Sequence, residues 1–311
     1  MEASGDKVIT FYDIILDPKA YPLAPNPWKT RYALNFAKVP YRTSWVPLSA
    51  VAETRNSLNL PANRKHLDGS DFPTLPIIRD PLAPTAPGSE VLVGDSFDIA
   101  LHLQNTYLSH ASSSPSSHSS SSNGPSSAAA AGPLFPANGS GTVALHRAFN
   151  AFVDQIFSQY GGPLAGFYMP LDPRTAESDK AAFVRRVPGL ARWEDMEIPK
   201  GSEARTKMLA EFESALDAKL GPCFPSPVKA DETNKSNRGE AQGSGPFIEG
   251  RQVPIYADFI VGGWLQFMRG CLPEWEDMRN KWSGGKWGRL LDALEPWADV
   301  DGREGVVPAR R

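Results

Sequence analysis

The sequence predicts a two-domain protein, with an N-terminal α/β domain over residues 1–108, a C-terminal all-α helical bundle over 142–300 and a tail at 301–311. Three observations predict it. In the first hundred residues β-branched and aromatic runs alternate with stretches of helical spacing, in the order βαβ-ββα. Beyond residue 142 apolar residues recur at i, i+3, i+4 and i+7, the period of a helix that buries one face. Between the halves, residues 112–127 hold eleven serines in sixteen positions and run into Ala128–Ala131. That composition cannot bury enough apolar surface to offset ordering entropy, so 109–141 reads as a disordered linker insert whose hydroxyls are also open to phosphorylation. A second polar insert lies near 229–245.

The elements follow in order. Val8–Tyr12 is β-branched and aromatic and reads as a buried strand. Pro27 suits the first turn of a helix, which puts Asn26 on the N-cap and Ala33, Leu34, Phe36 and Ala37 on the helical repeat. The first turn near 26–29 then presents unpaired N–H groups and the positive end of a helix dipole, which attract anions, thiolates included. Tyr41–Val46 alternates as a second strand, and Val51–Leu60 is a weak helix stopped by Pro61. Phe72–Ile78 is an apolar strand with a proline inside it, which marks an edge or a special bend, and a cis Leu75-Pro76 peptide gives that bend a fixed geometry. Strand Glu90–Val93 leads to Gly94-Asp95-Ser96, which opens a helix with Phe97, Ile99, Ala100 and Leu103 on one side.

Strand, proline-containing turn, helix, strand, Thr74-Leu75-Pro76-Ile77-Ile78, and Asp95-Ser96 at a helix start together resemble the thioredoxin-like N-terminal domain of the glutathione transferase superfamily. Ile9–Asp13 and Pro25–Leu34 are similar to segments of fungal glutathione transferases related to the bacterial lignin β-etherases. The resemblance spans most of the chain apart from the two inserts and implies the two-domain glutathione transferase fold. It also implies glutathione, as co-substrate or ligand, along the edge of the N-terminal domain. Leu75 would pair through its backbone with the cysteinyl part, Pro76 would be cis, Asp95 and Ser96 would receive the γ-glutamyl group, and Ala24 and Trp28 would lie among the contacts. Glutathione carries an ammonium and two carboxylates, and an acidic side chain beside helix N–H groups suits that pattern. The plainer reading of Asp95 and Ser96 is a helix cap.

Ala24 departs from the family pattern, which often has serine or cysteine there to hold or capture the sulfur. A methyl group does neither, so mixed-disulfide chemistry is not expected. Three substitutes are visible: the Asn26 amide, the Tyr12 phenol, or the N–H groups of the first helix acting alone. Each side chain has a structural alternative, Asn26 as an N-cap and Tyr12 as a packed strand residue.

A net charge of −3 recommends neither nucleic acid nor an anionic membrane as partner. The two cysteines, Cys223 and Cys271, form no metal-binding or CxxC spacing, and no metal is expected. Met1–Lys7 lacks an apolar signal segment, which points to a cytoplasmic protein.

In the C-terminal half, Leu145, Ala148, Phe149, Phe152, Val153, Ile156, Phe157 and Tyr160 predict a helix with one wide buried face. Pro254–Leu265 is apolar on almost all sides and, with Asp258 and Gln266 inside it, reads as the central helix of a bundle. The family opens this helix with a Ser/Thr-x-x-Asp box, and here Ile255-Tyr256-Ala257-Asp258 keeps the aspartate without the hydroxyl. Tyr160, Phe167 and Tyr168 are candidate walls of a pocket for a small apolar or aromatic molecule, or a loop packed on the core.

Two functions follow. One is a glutathione-dependent transferase acting on an apolar or aromatic electrophile by conjugation, ether cleavage or isomerisation, since relatives cleave aryl ethers or tailor secondary metabolites and others serve detoxification. The other is a binding or biosynthetic protein that has lost thiolate activation, toward which Ala24 leans. A homodimer is compatible with either.

Overall fold

The computed structural model describes residues 8–66, 68–81, 90–108, 132–136, 141–224 and 245–300. The core of both predicted inserts and the tail at 301–311 lie outside the described residues.

The N-terminal half is built on a four-stranded sheet of order β2-β1-β5-β6, from β1 (Ile9–Ile15), β2 (Tyr41–Pro47), β5 (Ile77–Asp80) and β6 (Val91–Val93). β1 runs parallel to β2 and antiparallel to β5, and β5 pairs antiparallel with β6. Helices α1 (Pro25–Ala37), α2 (Val51–Ser57) and α3 (Ser96–Leu103) accompany the sheet. Period-two alternation sends Ile9, Phe11 and Asp13 to one buried face of β1. Asp13 is tolerated there because Arg31 of α1 meets its carboxylate at 2.7 Å.

Two boundaries differ from expectation, both because of proline. The predicted strand at 72–78 is split into β4 (Asp71–Phe72), which pairs with β3 (Arg64–Lys65), and β5. Pro73 and Pro76 have no N–H to give a ladder, so Pro73–Pro76 leaves the sheet, and the Leu75-Pro76 bond is cis. Helix α1 starts at Pro25, so Ala24 and not Asn26 is the N-cap, and Asn26 is the second helical residue.

The C-terminal half holds α4 (Thr142–Ile156), α5 (Gly162–Ala165), α6 (Ala176–Val184), α7 (Glu203–Lys219), α8 (Tyr256–Cys271), α9 (Trp275–Asn280) and α10 (Lys286–Ala293). α8 is the buried centre, and it lies directly on α1. A Cβ on Gly263 would come within 2.5 Å of the Pro25 carbonyl oxygen, so only glycine permits this approach. Beside it Tyr32 stacks on Phe259 with ring centroids 5.4 Å apart and accepts a hydrogen bond from Gln266 Nε2 at 2.8 Å. Asp258 completes half of a capping box, its Oδ2 accepting the Ile255 N–H and its Oδ1 the Ile248 N–H, both at 2.8 Å.

The wide apolar face predicted for α4 is corrected. Leu145 is 72% exposed and Phe152 38% exposed, while His146, Val153 and Ile156 are buried. The helix is rolled toward the N-terminal half, where Asn150 and Asp154 meet Lys29 of α1.

The residues after α5 reach back over the N-terminal half. The Asp172 N–H donates to the Leu16 carbonyl at 2.6 Å, and Asp179, fully buried, accepts the Ser49 N–H at 2.8 Å. No helix among the described residues is long and apolar enough to cross a membrane.

Candidate functional site

The start of α1 carries the residues expected to handle the sulfur. A helix leaves its first N–H groups without intrahelical partners. Here Pro25 and Pro27 carry no N–H, and the Trp28 N–H is taken by the Ala24 carbonyl at 3.1 Å. Asn26 is therefore the one residue of the first turn whose amide can face a ligand. Its side-chain Oδ1 is buried and has no hydrogen-bond partner, so the carboxamide is not spent on capping. The turn expected at 26–29 thus presents a single backbone donor, not a cluster.

Below Asn26 lies a buried ionic network that the sequence reading missed. Lys29, fully buried, donates to Asp154 Oδ1 at 2.6 Å and Asn150 Oδ1 at 2.9 Å. Asp154 also accepts Trp264 Nε1 at 2.7 Å and faces Arg64 Nη2 at 3.8 Å. Burial pushes the Lys29 ammonium below the ordinary lysine value, opposed by Asp154. One carboxylate thereby joins α1, β3, α4 and α8. The signal was present in the sequence as a polar i, i+4 pair, Asn150 and Asp154, beside the apolar positions Phe149 and Val153 of the same helix.

The chain from Pro73 to Pro76 is the first of the two segments that the resemblance assigns to glutathione, one jaw of the candidate site. Leu75 is buried, and β5 begins two residues later, so the Leu75 peptide group lies outside the ladder. The second jaw is the α3 start. Asp95 is its N-cap, with Oδ1 accepting the Phe97 N–H at 2.9 Å and Oδ2 accepting Asn63 Nδ2 at 3.1 Å. Asn63 in turn accepts the Thr74 hydroxyl at 2.7 Å, linking both jaws. The plainer reading of Asp95 as a helix cap is thus realised, and each oxygen keeps a further lone pair for a ligand donor.

Other expected residues sit elsewhere. Trp28, assigned to the ligand through the resemblance, is a core residue, 1% exposed, donating Nε1 to the Pro22 carbonyl at 2.7 Å and stacked on Tyr21. Tyr12 lies mid-strand between Ser44 and Ile77, three residues short of the end of β1. Phe167 and Tyr168 pack edge to face at 5.4 Å, with Phe167 against Trp193 and Tyr168 beneath Arg205. Tyr160 stacks on Phe212 of α7 at 5.9 Å, two turns along that helix from the Arg205 that covers Tyr168. Two shallow depressions of about 520 and 500 Å³ on α7 and the residues after it share no residue with the α1 and α3 ends.

Residues 144–297 match the sequence-family model of the glutathione S-transferase C-terminal domain. A glutathione S-transferase of Ceriporiopsis subvermispora, solved in complex with glutathione, superposes with a TM-score of 0.68 at 28% identity, covering 95% of this chain and 100% of that one. The chain belongs to the glutathione transferase superfamily. A second member of the superfamily, from Phanerochaete chrysosporium, superposes with a TM-score of 0.61 at 25% identity over 94% of this chain and 98% of its own. The glutathione S-transferase-like protein ustS of Aspergillus flavus is 26% identical over 98% of this chain and 96% of its own length. As expected from the N-terminal resemblance, the glutathione transferase fold accounts for the mixed sheet, the cis-proline jaw and the helical C-terminal half together.

Proposed function

We propose that the protein binds glutathione between the two jaws and uses Asn26 to hold the sulfur for transfer to a small apolar or aromatic electrophile. The observation that carries this reading is the first turn of α1, where Pro25 and Pro27 have no N–H, Asn26 supplies the backbone donor at the positive end of the helix, and its side-chain Oδ1 caps no other group. The fit of the residues supports it. The Leu75 peptide group stands outside the sheet beside a cis proline, and Asp95 offers negative charge to an ammonium at a helix start that offers N–H groups to a carboxylate. Bound glutathione supplies a nucleophilic thiolate. The chain's part is to orient the tripeptide along the Leu75 edge and to lower the cost of negative charge on the sulfur with the Asn26 N–H and the α1 dipole. Tyr12, placed mid-strand, and the methyl group of Ala24 make no comparable contribution.

A second reading, a binding protein without sulfur activation, is favoured by one specific feature. Ala24 contributes no hydroxyl, and Pro25 and Pro27 remove two of the amides that a helix start ordinarily offers. Retention on immobilised glutathione together with turnover of a generic aryl halide separates the two. The transferase reading expects both, with turnover lowered about tenfold and retention kept in Asn26→Ala. Retention without turnover in the unaltered protein supports the binding reading, and absence of both removes glutathione from the account.

A further inference from the structure

Arg55 is 3% exposed, although it projects from the last turn of the short helix α2. Among the described residues its guanidinium bonds to carbonyl oxygens and to no carboxylate. Nη1 donates to the Thr74 carbonyl at 2.7 Å and the Gly94 carbonyl at 3.1 Å, while Nε and Nη2 both donate to the Pro61 carbonyl at 3.2 and 2.6 Å. These three carbonyls belong to three separate segments. Thr74 immediately precedes Leu75-Pro76, Gly94 immediately precedes Asp95-Ser96, and Pro61 stands two residues before Asn63. Gly94 is shaped to the same end, since a Cβ there would lie 2.9 Å from Arg55 Nη2 and 3.2 Å from Nη1. Asn63 repeats the link on the outer side through its bonds to Asp95 and Thr74.

The geometry points to Arg55 as a positioning residue that sets the spacing between the cis-proline jaw and the Asp95-Ser96 jaw, and so the fit of a γ-glutamyl peptide. This inference rests on the glutathione reading above. A planar fork with fixed donor directions can satisfy three carbonyls at once, whereas a lysine ammonium on a flexible stem reproduces the charge without the planar spacing. Asp95 also acts on the guanidinium through space, opposing the effect of its burial. Arg55 reaches the ligand only through the backbone it holds.

The test compares glutathione with cysteinylglycine, which lacks the γ-glutamyl group, by calorimetry on the full chain, in the unaltered protein and in Arg55→Lys and Gly94→Ala. Gly94→Ala retains the arginine and displaces it, which guards against a variant that fails for loss of charge alone. Both variants are expected to weaken glutathione by about tenfold or more while changing cysteinylglycine by about twofold or less, the signature of coupling to one part of the ligand. Hydrogen exchange at the Phe97 and Ile99 amides, both bonded to Asp95, is expected to quicken in both variants while α8 stays protected. Equal losses for the two ligands that follow the melting temperature, or unchanged exchange at both amides, overturn the role of Arg55. An unaltered protein that binds no glutathione overturns the parent reading, and this inference with it.

Discussion

Asn26 has the chemistry of a sulfur donor because of its neighbours. With proline on both sides, it is the one residue of the first turn that can offer both a backbone N–H and a side-chain amide. Asn26→Ala is expected to lower aryl-halide turnover by about tenfold, less than the roughly hundredfold or more that loss of a sole aligned donor costs because the backbone N–H stays, with glutathione affinity changed little. Steady-state kinetics with a parallel binding titration checks this, and equal activity in the variant excludes the side-chain amide and leaves the backbone N–H of that position as the sulfur's donor. Lys29 presents the opposite case, a charge that holds structure. Lys29→Met leaves Asp154 facing only neutral donors and the loose contact with Arg64, and is expected to cost about 3 kcal/mol, as for a broken buried pair. Urea unfolding measures it, and pairing the change with Asp154→Asn should recover part of the loss. At this scale local signals placed the Pro76 bend and the Asp95 cap, and missed that Asn26 lies inside the first turn and is not its cap, while the ligand roles given to Leu75, Pro76, Asp95 and Ser96 came from the resemblance. Lys29, Arg55 and Asn63 were not legible, because their roles depend on carbonyls and carboxylates far away in the chain.

Among the elements, α8 is the most constrained. Its start buries Asp258, and burial pushes that carboxyl up to about 7, against the two backbone N–H bonds that favour its charged form. The folded value lies above the unfolded one, so the stabilising contribution is complete below about pH 4 and is lost as the pH rises through 7. A rise of about three units corresponds to roughly 4 kcal/mol across that window. The stability of the unaltered protein relative to Asp258→Asn should therefore fall between pH 4 and 8, measured by denaturant unfolding at each pH. A difference that instead grows with pH would mean the carboxylate is stabilised as an anion. Asp258→Ala should lose about 1 to 2 kcal/mol through the missing cap, read as a lower melting temperature. The helix was predicted from its apolar run, and the cap from the resemblance, whose box has an aspartate where Asp258 stands. The strand at 72–78 and the face of α4 were misread for definable reasons. Periodicity counts apolar residues without asking which backbone N–H groups exist, and it ignores a polar pair drawn inward by a lysine on another element.

At the scale of the whole molecule, the two halves are joined by a dense seam rather than a simple connector. Gly263 brings α8 onto α1, Asp154 gathers donors from both halves, and Asp172 and Asp179 tie the residues after α5 back to Leu16 and Ser49. The order of the halves and the family were readable from the sequence, since both rest on short-range patterns. The seam was not, because it is made of contacts more than a hundred residues apart. Its consequence for function is that α1, whose first turn is proposed to meet the sulfur, is fixed from behind by α8 and Lys29 and cannot easily shift. The most direct test of this account is an ultraviolet titration of the thiol of glutathione bound to the unaltered protein and to Asn26→Ala. The account predicts a thiol pKa well below the free value of about 8.5 in the former and a return toward it in the latter. A bound thiol that titrates as it does in water, in the unaltered protein, would contradict it.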